Sequence, residues 1–309
     1  MKQQLADLWK TSFGDSDDFI RLFFDRIYRE ENALTLCENG RITAALHMIP
    51  CEMTCCGGIV PVAYVCGACT LPSERGKGRM SRLMKQATEV MRNRGDSLAV
   101  LIPASDRLYG FYARFGFVEA FSHTFETHVI DHLPAPTSDC RIVSARDLPS
   151  ATAYACYDRL QRKHTCATLH SAYDWETILL DCRLEGGDAW VAFRDGKPEG
   201  VAIAVPQDES RVYVKEILCE QPDIRNTLIR SVLTHFRRSA AQVRIRALPY
   251  AAQPGGMACL LDAKRMTDLY ISFHRPADVS LLRNADSRRL TQIILGYDRQ
   301  EAWMNLMLD

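Results

Sequence analysis

The chain has 309 residues, 47% of them hydrophobic, and this length and composition predict a soluble globular protein with two domains of ordinary size. Its 38 basic residues equal its 38 acidic residues, and a formal net charge of zero argues against a protein that binds nucleic acid over a broad surface. The N-terminus has no apolar signal core, and no apolar run approaches the roughly 20 residues of a membrane span. We therefore expect a cytoplasmic protein that does not bind membranes.

The first 32 residues carry apolar side chains at helical spacing, interrupted at Gly14-Asp15-Ser16 by residues typical of a helix N-cap. Two hairpins are predicted next. In the first, Ala33–Cys37 and Ile42–Ile49 flank an Asn-Gly turn, and the second turns at Gly57-Gly58. The chain therefore lays down antiparallel strands before residue 62.

Residues 62–84 predict a strand, a short basic loop and a helix in immediate succession. Apolar β-formers run to Leu71, Pro72 ends the strand, and Gly76 and Gly78 lie in the loop before a helix with one buried face. Two glycines let the backbone approach a ligand closely, and the free N–H groups of the first helical turn favour a phosphate or pyrophosphate. The loop matches neither a Walker motif nor a dinucleotide fingerprint, and a solvated basic turn is the alternative interpretation.

The helix is predicted to end at Arg94-Gly95, and a β-run over Ser97–Ile102 follows. A strand, a helix and a second strand form a crossover, so the two strands should be parallel neighbours. A short helix over Arg107–Phe115 comes next, with Ser105 or Asp106 as its N-cap, and then a strand over Phe117–Ile130.

After a Pro-rich linker at Leu133–Asp139, the second half repeats the order of the first. Ala189–Pro206 again contains two strands around a turn with glycine, and Val212–Leu233 again contains a strand and a helix, followed by a strand over Gln242–Leu248 that ends in Pro249. The second loop, Glu220–Asn226, has no glycine and carries two acids, so it should not bind pyrophosphate. We predict two domains, 1–135 and 141–309, with the site in the first.

Two motifs in the first half resemble those of the GCN5-related N-acetyltransferase (GNAT) superfamily. Arg75 and Gly78 fall on the first two defined positions of its acetyl-CoA loop, Gln/Arg-x-x-Gly-x-Gly/Ala, while Met80 departs from the third as in its Eis-like branch. The second motif, aromatic-Tyr-x-x-x-Gly-Phe, is met by Phe111, Tyr112, Gly116 and Phe117. The resemblance implies an α/β, mixed-sheet GNAT fold (α+β-like), with two tandem GNAT-like domains of which the second is degenerate.

The resemblance also implies acetyl-CoA as co-substrate, no metal, and Tyr112 as the catalytic acid that protonates the departing thiolate. Gly67 could form a bulge that opens the sheet for the pantetheine arm. Tyr109 is the substitute candidate for the role of catalytic acid. The residues implied to contact the cofactor are Ala68, Cys69, Thr70, Arg75, Gly76, Lys77, Gly78, Arg79, Met80 and Ser105.

The general base stays open among five side chains: Glu38, His47, Glu52, His123 and Glu126. Cys66 and Cys69 have metal-knuckle spacing, but their odd separation in a strand places them on opposite faces and favours buried thiols over zinc.

The sequence therefore predicts an acetyl-CoA-dependent N-acetyltransferase that acts on a primary amine of a small molecule or on a lysine side chain. The Eis-like resemblance suggests a polyamine, aminoglycoside or lysine acceptor, and leaves homo-oligomer formation open. The alternatives are a non-catalytic acyl-CoA-binding or interaction module, or another acyltransferase with a double GNAT fold, such as a Fem-like aminoacyl transferase.

Overall fold

The structure is a computed structural model that describes residues 1–136, 139–247, 253–299 and 301–307. The first half contains, in chain order, α1 (Lys2–Phe13), α2 (Asp17–Leu22) with a π turn (Phe23–Ile27), β1 (Ala33–Glu38), β2 (Arg41–Cys55), β3 (Gly58–Thr70), α3 (Arg79–Arg94), β4 (Leu98–Leu101), α4 (Asp106–Ala113) and β5 (Val118–Val129).

The second half continues with further helices and strands on the same sheet. In chain order these are β6 (Cys140–Ser144), α5 (Ser150–Gln161), β7 (Cys166–Leu169), α6 (Ala172–Leu184), β8 (Asp188–Arg194), β9 (Lys197–Pro206), β10 (Arg211–Cys219), α7 (Pro222–Phe236), β11 (Ala240–Arg246), β12 (Gln253–Leu260), α8 (Ala263–Phe273), α9 (Pro276–Val279), α10 (Ser287–Ile294) and β13 (Ala302–Trp303).

The predicted mixed α/β fold with a repeated unit is confirmed. In each half a helix connects two parallel strands: β3 pairs with β4 over Val62–Tyr64, and β10 pairs with β11 over Arg211–Val214. The hairpins precede both crossovers, as predicted. Part of the predicted linker (Thr137 and Ser138) and the end of the last predicted strand (Leu248 and Pro249) lie outside the described residues.

Two strands are exchanged between the halves. β5, from the first half, pairs with β11, whereas β12, from the second half, lies between β4 and β5. α8 and α10 then pack on the first-half core, to which they contribute Met266, Tyr270 and Ile294. The domain boundary at residues 135 to 141 stays a prediction, and the exchange means that each half completes the sheet of the other.

The second hairpin turns one residue earlier than predicted. The left-handed residues are Cys56 (φ 47°) and Gly57 (φ 71°), and Gly58 already begins β3. A two-residue turn that follows the twist of the strands needs positive φ at both positions. Cys56 adopts this conformation at the first position and Gly57 at the second.

The prediction that Cys66 and Cys69 lie on opposite faces of the strand is wrong. The pairing of β2 with β3 shifts between Ala45–Cys69 and His47–Cys66, so Gly67 and Ala68 form a bulge. The extra residue reverses the alternation, and both thiols join the core on the α1 side of the sheet. The same shift confirms the predicted bulge at Gly67, which takes the left-handed φ of 58°.

Across the described residues, no helix combines the length and the apolar character that a bilayer crossing requires.

Replacing Gly67 with alanine should destabilise the fold strongly. An added Cβ would lie 2.3 Å from the Trp9 ring and 3.0 Å from the His47 ring, in a backbone conformation that side chains rarely adopt. We expect a loss of about 2 kcal/mol or more in the free energy of unfolding, measured by urea denaturation. Gly14→Ala is the control, because Gly14 has φ 75° and open space around it. An equal loss in both variants would contradict the packing argument.

Candidate functional site

The loop after β3 presents backbone amides that no side chain caps. Residues 72–74 form a 3₁₀ turn, Gly76 and Gly78 take φ values of 79° and 75°, and Gly78 is the N-cap of α3 without a side-chain hydrogen bond to the helix. A Cβ added at either glycine would meet open space, so the loop is solvent-accessible. The positive end of a 16-residue helix is therefore open to an anion.

The cationic side chains of this loop have carboxylate partners. Arg79 pairs with Glu38 and Glu74, and Lys77 lies 3.0 Å from the same Glu74 carboxylate. These hydrogen bonds lower the pKa of both Glu38 and Glu74. Arg75 instead donates from Nε to the backbone oxygen of Thr70 at 3.2 Å. An incoming diphosphate would therefore compete with two carboxylates for Arg79, while the amides stay free of side-chain caps.

A gap opens in the sheet directly before the loop. The parallel pairing of β3 with β4 ends at Tyr64–Val100, yet β3 continues to Thr70 and stays paired with β2 along that length. On its other edge β3 therefore separates from β4 over Val65–Thr70. Ala68, Cys69 and Thr70, predicted to offer backbone groups to the cofactor, all lie in this stretch.

Ser105 and Tyr112 lie on the far side of the gap, on the short helix that follows β4. Ser105 is the exposed N-cap of α4, and Tyr112 is buried with 7% of its surface exposed. The Tyr112 ring packs against Phe111 and Phe117, with ring centroids 5.2 and 6.1 Å away. Burial raises the pKa of the Tyr112 phenol to about 12, and the nearby Cys66 thiol acts in the same direction. The phenol is therefore protonated across the physiological range.

The Cys66 thiol, which acts on the pKa of Tyr112, lines a cavity between the two halves of the chain. This cavity encloses about 60 Å³ of free volume and lies on the α2 face of the sheet. From the first half it is lined by Phe23, Ile27, Ile49, Pro50, Cys51, Tyr64 and Cys66, and from the second by Thr168, Leu169, His170, Asp174, Thr177, Ile178, Leu306 and Met307. A second cavity, with about 320 Å³ of free volume, adjoins it and shares Ile178, Leu306 and Met307.

The three acids considered as general base are either paired with an arginine or exposed to solvent. Glu38 is paired with Arg79, and Glu126 accepts a hydrogen bond from Arg225 at 2.6 Å. Glu52 is exposed on β2 opposite Leu169. None of the three lines the cavity beside Cys66 among the residues that the structure describes.

The two histidines considered as base are both held neutral. His47 lies directly across the strands from Cys66, and burial lowers its pKa to about 4. Aromatic rings surround it: Trp9, Phe23, Phe24 and Tyr28. His123 lines the adjoining cavity, and burial together with Arg244 lowers its pKa to about 4. Neither imidazole has the basicity of a group that accepts a proton near pH 7.

The second half keeps the gap but fills it with its own chain. β10 shifts register between Val214 and Glu216, immediately after its pairing with β11 ends. There Asn305 donates from Nδ2 to the Lys215 carbonyl and to Glu216 Oε2, and Trp303 donates to the same carboxylate oxygen at 3.0 Å. This cleft is therefore occupied by the segment after β13.

The second loop is also blocked at its helix N-terminus. Asp223 lies in the first turn of α7 and pairs with Arg194, and Glu220 lies 2.5 Å from Lys163. A carboxylate of the chain lies at this helix N-terminus, which disfavours an anion there.

Comparison with known proteins identifies the first half. A family model described as an acetyltransferase (GNAT) domain matches residues 2–120. Residues 2–120 are therefore similar to a GNAT acetyltransferase domain. An uncharacterized N-acetyltransferase of Streptomyces avermitilis is 34% identical over 88 residues, which are 28% of this chain and 20% of that protein. The match thus spans about a fifth of the relative's length.

The GNAT fold extends beyond this domain to nearly the whole chain. A GCN5-related N-acetyltransferase from Anabaena variabilis superposes with a TM-score of 0.70 at 15% identity, over 86% of this chain and 72% of that one. Eis1 from Mycobacterium abscessus superposes with a TM-score of 0.68 at 15% identity, over 87% of this chain and 73% of that one. The predicted likeness to the Eis-like, tandem GNAT fold is therefore confirmed at the level of fold.

The sequence did not identify which residues of the second half line the cavity. α6 carries a capping box, Ser171 with Asp174, and buries Trp175 and Ile178 on one face, so the helix itself has a readable signal. Its position beside α2 and the following π turn depends on contacts between the halves, such as Arg26 Nε with Thr177 Oγ1 at 2.7 Å. Nothing in the local pattern indicates such a contact.

Replacing Gly78 with valine should weaken CoA binding at least tenfold, because a β-branched residue resists the φ of 75° that turns the first amides of α3 outward. Isothermal titration with CoA measures the effect. Gly95→Val is the matched control, since Gly95 has φ 90° and open space at the other end of the same helix. Unchanged CoA affinity in Gly78→Val, or an equal loss in Gly95→Val, would place the site elsewhere.

Proposed function

We propose that this chain is an acetyl-CoA-dependent N-acetyltransferase that acetylates a primary amine by direct attack in a ternary complex. The observation that carries the proposal is the convergence of three features: uncapped amides at α3, a gap along β3, and a buried phenol whose pKa responds to Cys66, a residue of the cavity lining. The gap lies between Tyr112 and the loop, so one elongated ligand can reach both.

The residues present fit a CoA thioester. The amides after Gly76 and Gly78 would hold its diphosphate, and the edge of β3 from Gly67 to Thr70 would hydrogen-bond its arm as a neighbouring strand would. Acetyl-CoA, when bound, supplies the activated acyl group. A backbone N–H on this edge could stabilise the negative charge that develops on the acyl oxygen, a contribution of about 3 to 4 kcal/mol in other acyl-transfer enzymes.

Tyr112 would hold the proton that the departing thiolate needs. Thiols titrate near roughly 8.5, so a phenol with a pKa of about 12 stays protonated until the sulfur leaves and can then donate through a short hydrogen bond. The proton that the amine loses would pass to water, because His47 and His123 are weak bases here. The cavity beside Cys66 would hold the amine, and positioning both reactants in one cleft supplies a large part of the rate enhancement.

Replacing Tyr112 with phenylalanine should lower kcat by about 10²- to 10⁴-fold with little change in CoA affinity, because only the proton donor is lost. Tyr109→Phe is the matched control: it lies on the same helix and burial also raises its pKa to about 12, but the groups that act on it are Glu119, Asp106 and Tyr297 and not Cys66. Thiol release with a panel of amines measures kcat. Tight CoA binding without turnover in the native chain would instead indicate a binding module.

The pH dependence of kcat gives a separate test of Tyr112. A group whose pKa is raised to about 12 stays in its acidic form up to about pH 11. We therefore expect kcat to show no descending limb between pH 8 and 10.5. A loss of activity with an apparent pKa near 9, present in the native chain and absent in Tyr112→Phe, would contradict the assignment.

A further inference from the structure

The cavity beside Cys66 has an apolar interior, which bears on the acceptor. Eight of its lining side chains are aliphatic or aromatic: Phe23, Ile27, Ile49, Tyr64, Leu169, Ile178, Leu306 and Met307. Small-molecule sites are commonly lined by such side chains with a few polar groups, and this lining has the same character.

The polar groups of the lining are already engaged or uncharged. His170 contacts the Asn305 backbone oxygen through Nε2 at 2.9 Å, and burial lowers its pKa. Thr177 donates to the Tyr173 backbone oxygen at 2.9 Å. Burial raises the pKa of the Cys51 thiol to about 12, so this thiol is neutral at pH 7.

Asp174 is the one carboxylate among the described lining residues, and it is exposed at the start of α6. Its Oδ2 accepts hydrogen bonds from the backbone nitrogen and the hydroxyl of Ser171, at 2.9 and 2.7 Å. This single charge can attract one ammonium group to the cavity from solvent. It cannot compensate for several ammonium groups moved into an apolar interior, where each unpaired charge is costly.

The adjoining cavity does not supply the missing negative charge. Its described lining has two cations, Lys215 and Arg244, and one acid, Asp181. Burial raises the pKa of Asp181, which weakens its negative charge. Asp181 is also paired with Lys215, so a polycation that extended past Ile178 would meet Arg244 and no unpaired carboxylate among the described lining residues.

We propose that the acceptor is a monoamine with an uncharged apolar body, alkyl or arylalkyl, and not a polyamine or an aminoglycoside. This proposal rests on the proposed acetyltransferase function. The apolar cavity also explains how the reaction can proceed without a strong base in the protein. Burial favours the neutral form of an amine and lowers the pKa of its ammonium group, and the neutral amine is the nucleophile.

A four-acceptor comparison tests the substrate class. Hexylamine, phenylethylamine, spermidine and kanamycin are compared by CoA release at saturating acetyl-CoA, with CoA binding measured in parallel by isothermal titration. We expect kcat/KM for the two monoamines to exceed that for spermidine and kanamycin at least tenfold. If CoA binds, then equal or better use of a polycation, or turnover of none of the four, overturns the acceptor class. If CoA does not bind, the proposed function itself fails.

Variants that place a negative charge in the cavity lining give a second test of the acceptor class. Ile49 and Ile27 are half-buried lining residues, so Ile49→Asp and Ile27→Asp should each lower kcat/KM for hexylamine at least tenfold and narrow its advantage over spermidine. The KM for acetyl-CoA should not change. Ile59→Asp is the control, since Ile59 is 45% exposed at the start of β3 and lies outside this lining.

Circular dichroism of each variant separates a folding defect from a change of selectivity. Two folded lining variants that keep the native preference for hexylamine would overturn the proposal. The same would follow if Ile59→Asp shifted the preference as much as they do.

Discussion

The structure depends on the place where β3 stops pairing with β4. After Tyr64–Val100 the two parallel strands separate, while β2 holds β3 in register through Thr70. The bulge at Gly67 lies within this separated stretch, and Trp9 and His47 pack against it closely enough to exclude a side chain there. The separation produces a free strand edge, places it between the α3 loop and Tyr112, and directs Cys66 into the cavity. Each part of the proposed chemistry follows from that geometry.

The exchange of β5 and β12 makes the two halves parts of one sheet. β12 pairs with β4 on the side away from β3, so a strand of the second half covers the other edge of β4. The same arrangement brings α6 and the segment after β13 beside β2, where they complete the cavity. The second half thus has a structural role in the first-half site, and its own cleft is filled by Trp303 and Asn305.

Much of the fold could be predicted from local patterns in the sequence. The Asn39-Gly40 turn, the glycine end of α3 at Gly95 and the repeated strand–helix–strand order each follow from short-range physics. The positions of the cofactor-binding residues could be proposed because they are contiguous in the chain. The cavity could not, because Ile178, Leu306 and Met307 meet Cys66 only through long-range packing.

Cys69 shows how one inserted residue makes a prediction from strand alternation wrong. The strand alternates up to Cys66, and the bulge then adds a residue, so every later side chain changes face. Likewise, the charges of the basic loop were readable, but their pairing with Glu38 and Glu74 was not, since Glu38 is 41 residues from Arg79. In this chain local composition indicates the proposed anion site, and tertiary contacts determine the charges around it.

Backbone hydrogen exchange with and without acetyl-CoA tests the central claim most directly. If the separated edge of β3 and the start of α3 hold the ligand, amides of residues 66–70 and 76–81 should exchange more slowly when it is present. The equivalent amides of residues 215–219 should not change. Protection of residues 215–219, or of neither stretch while acetyl-CoA is bound, would contradict the account.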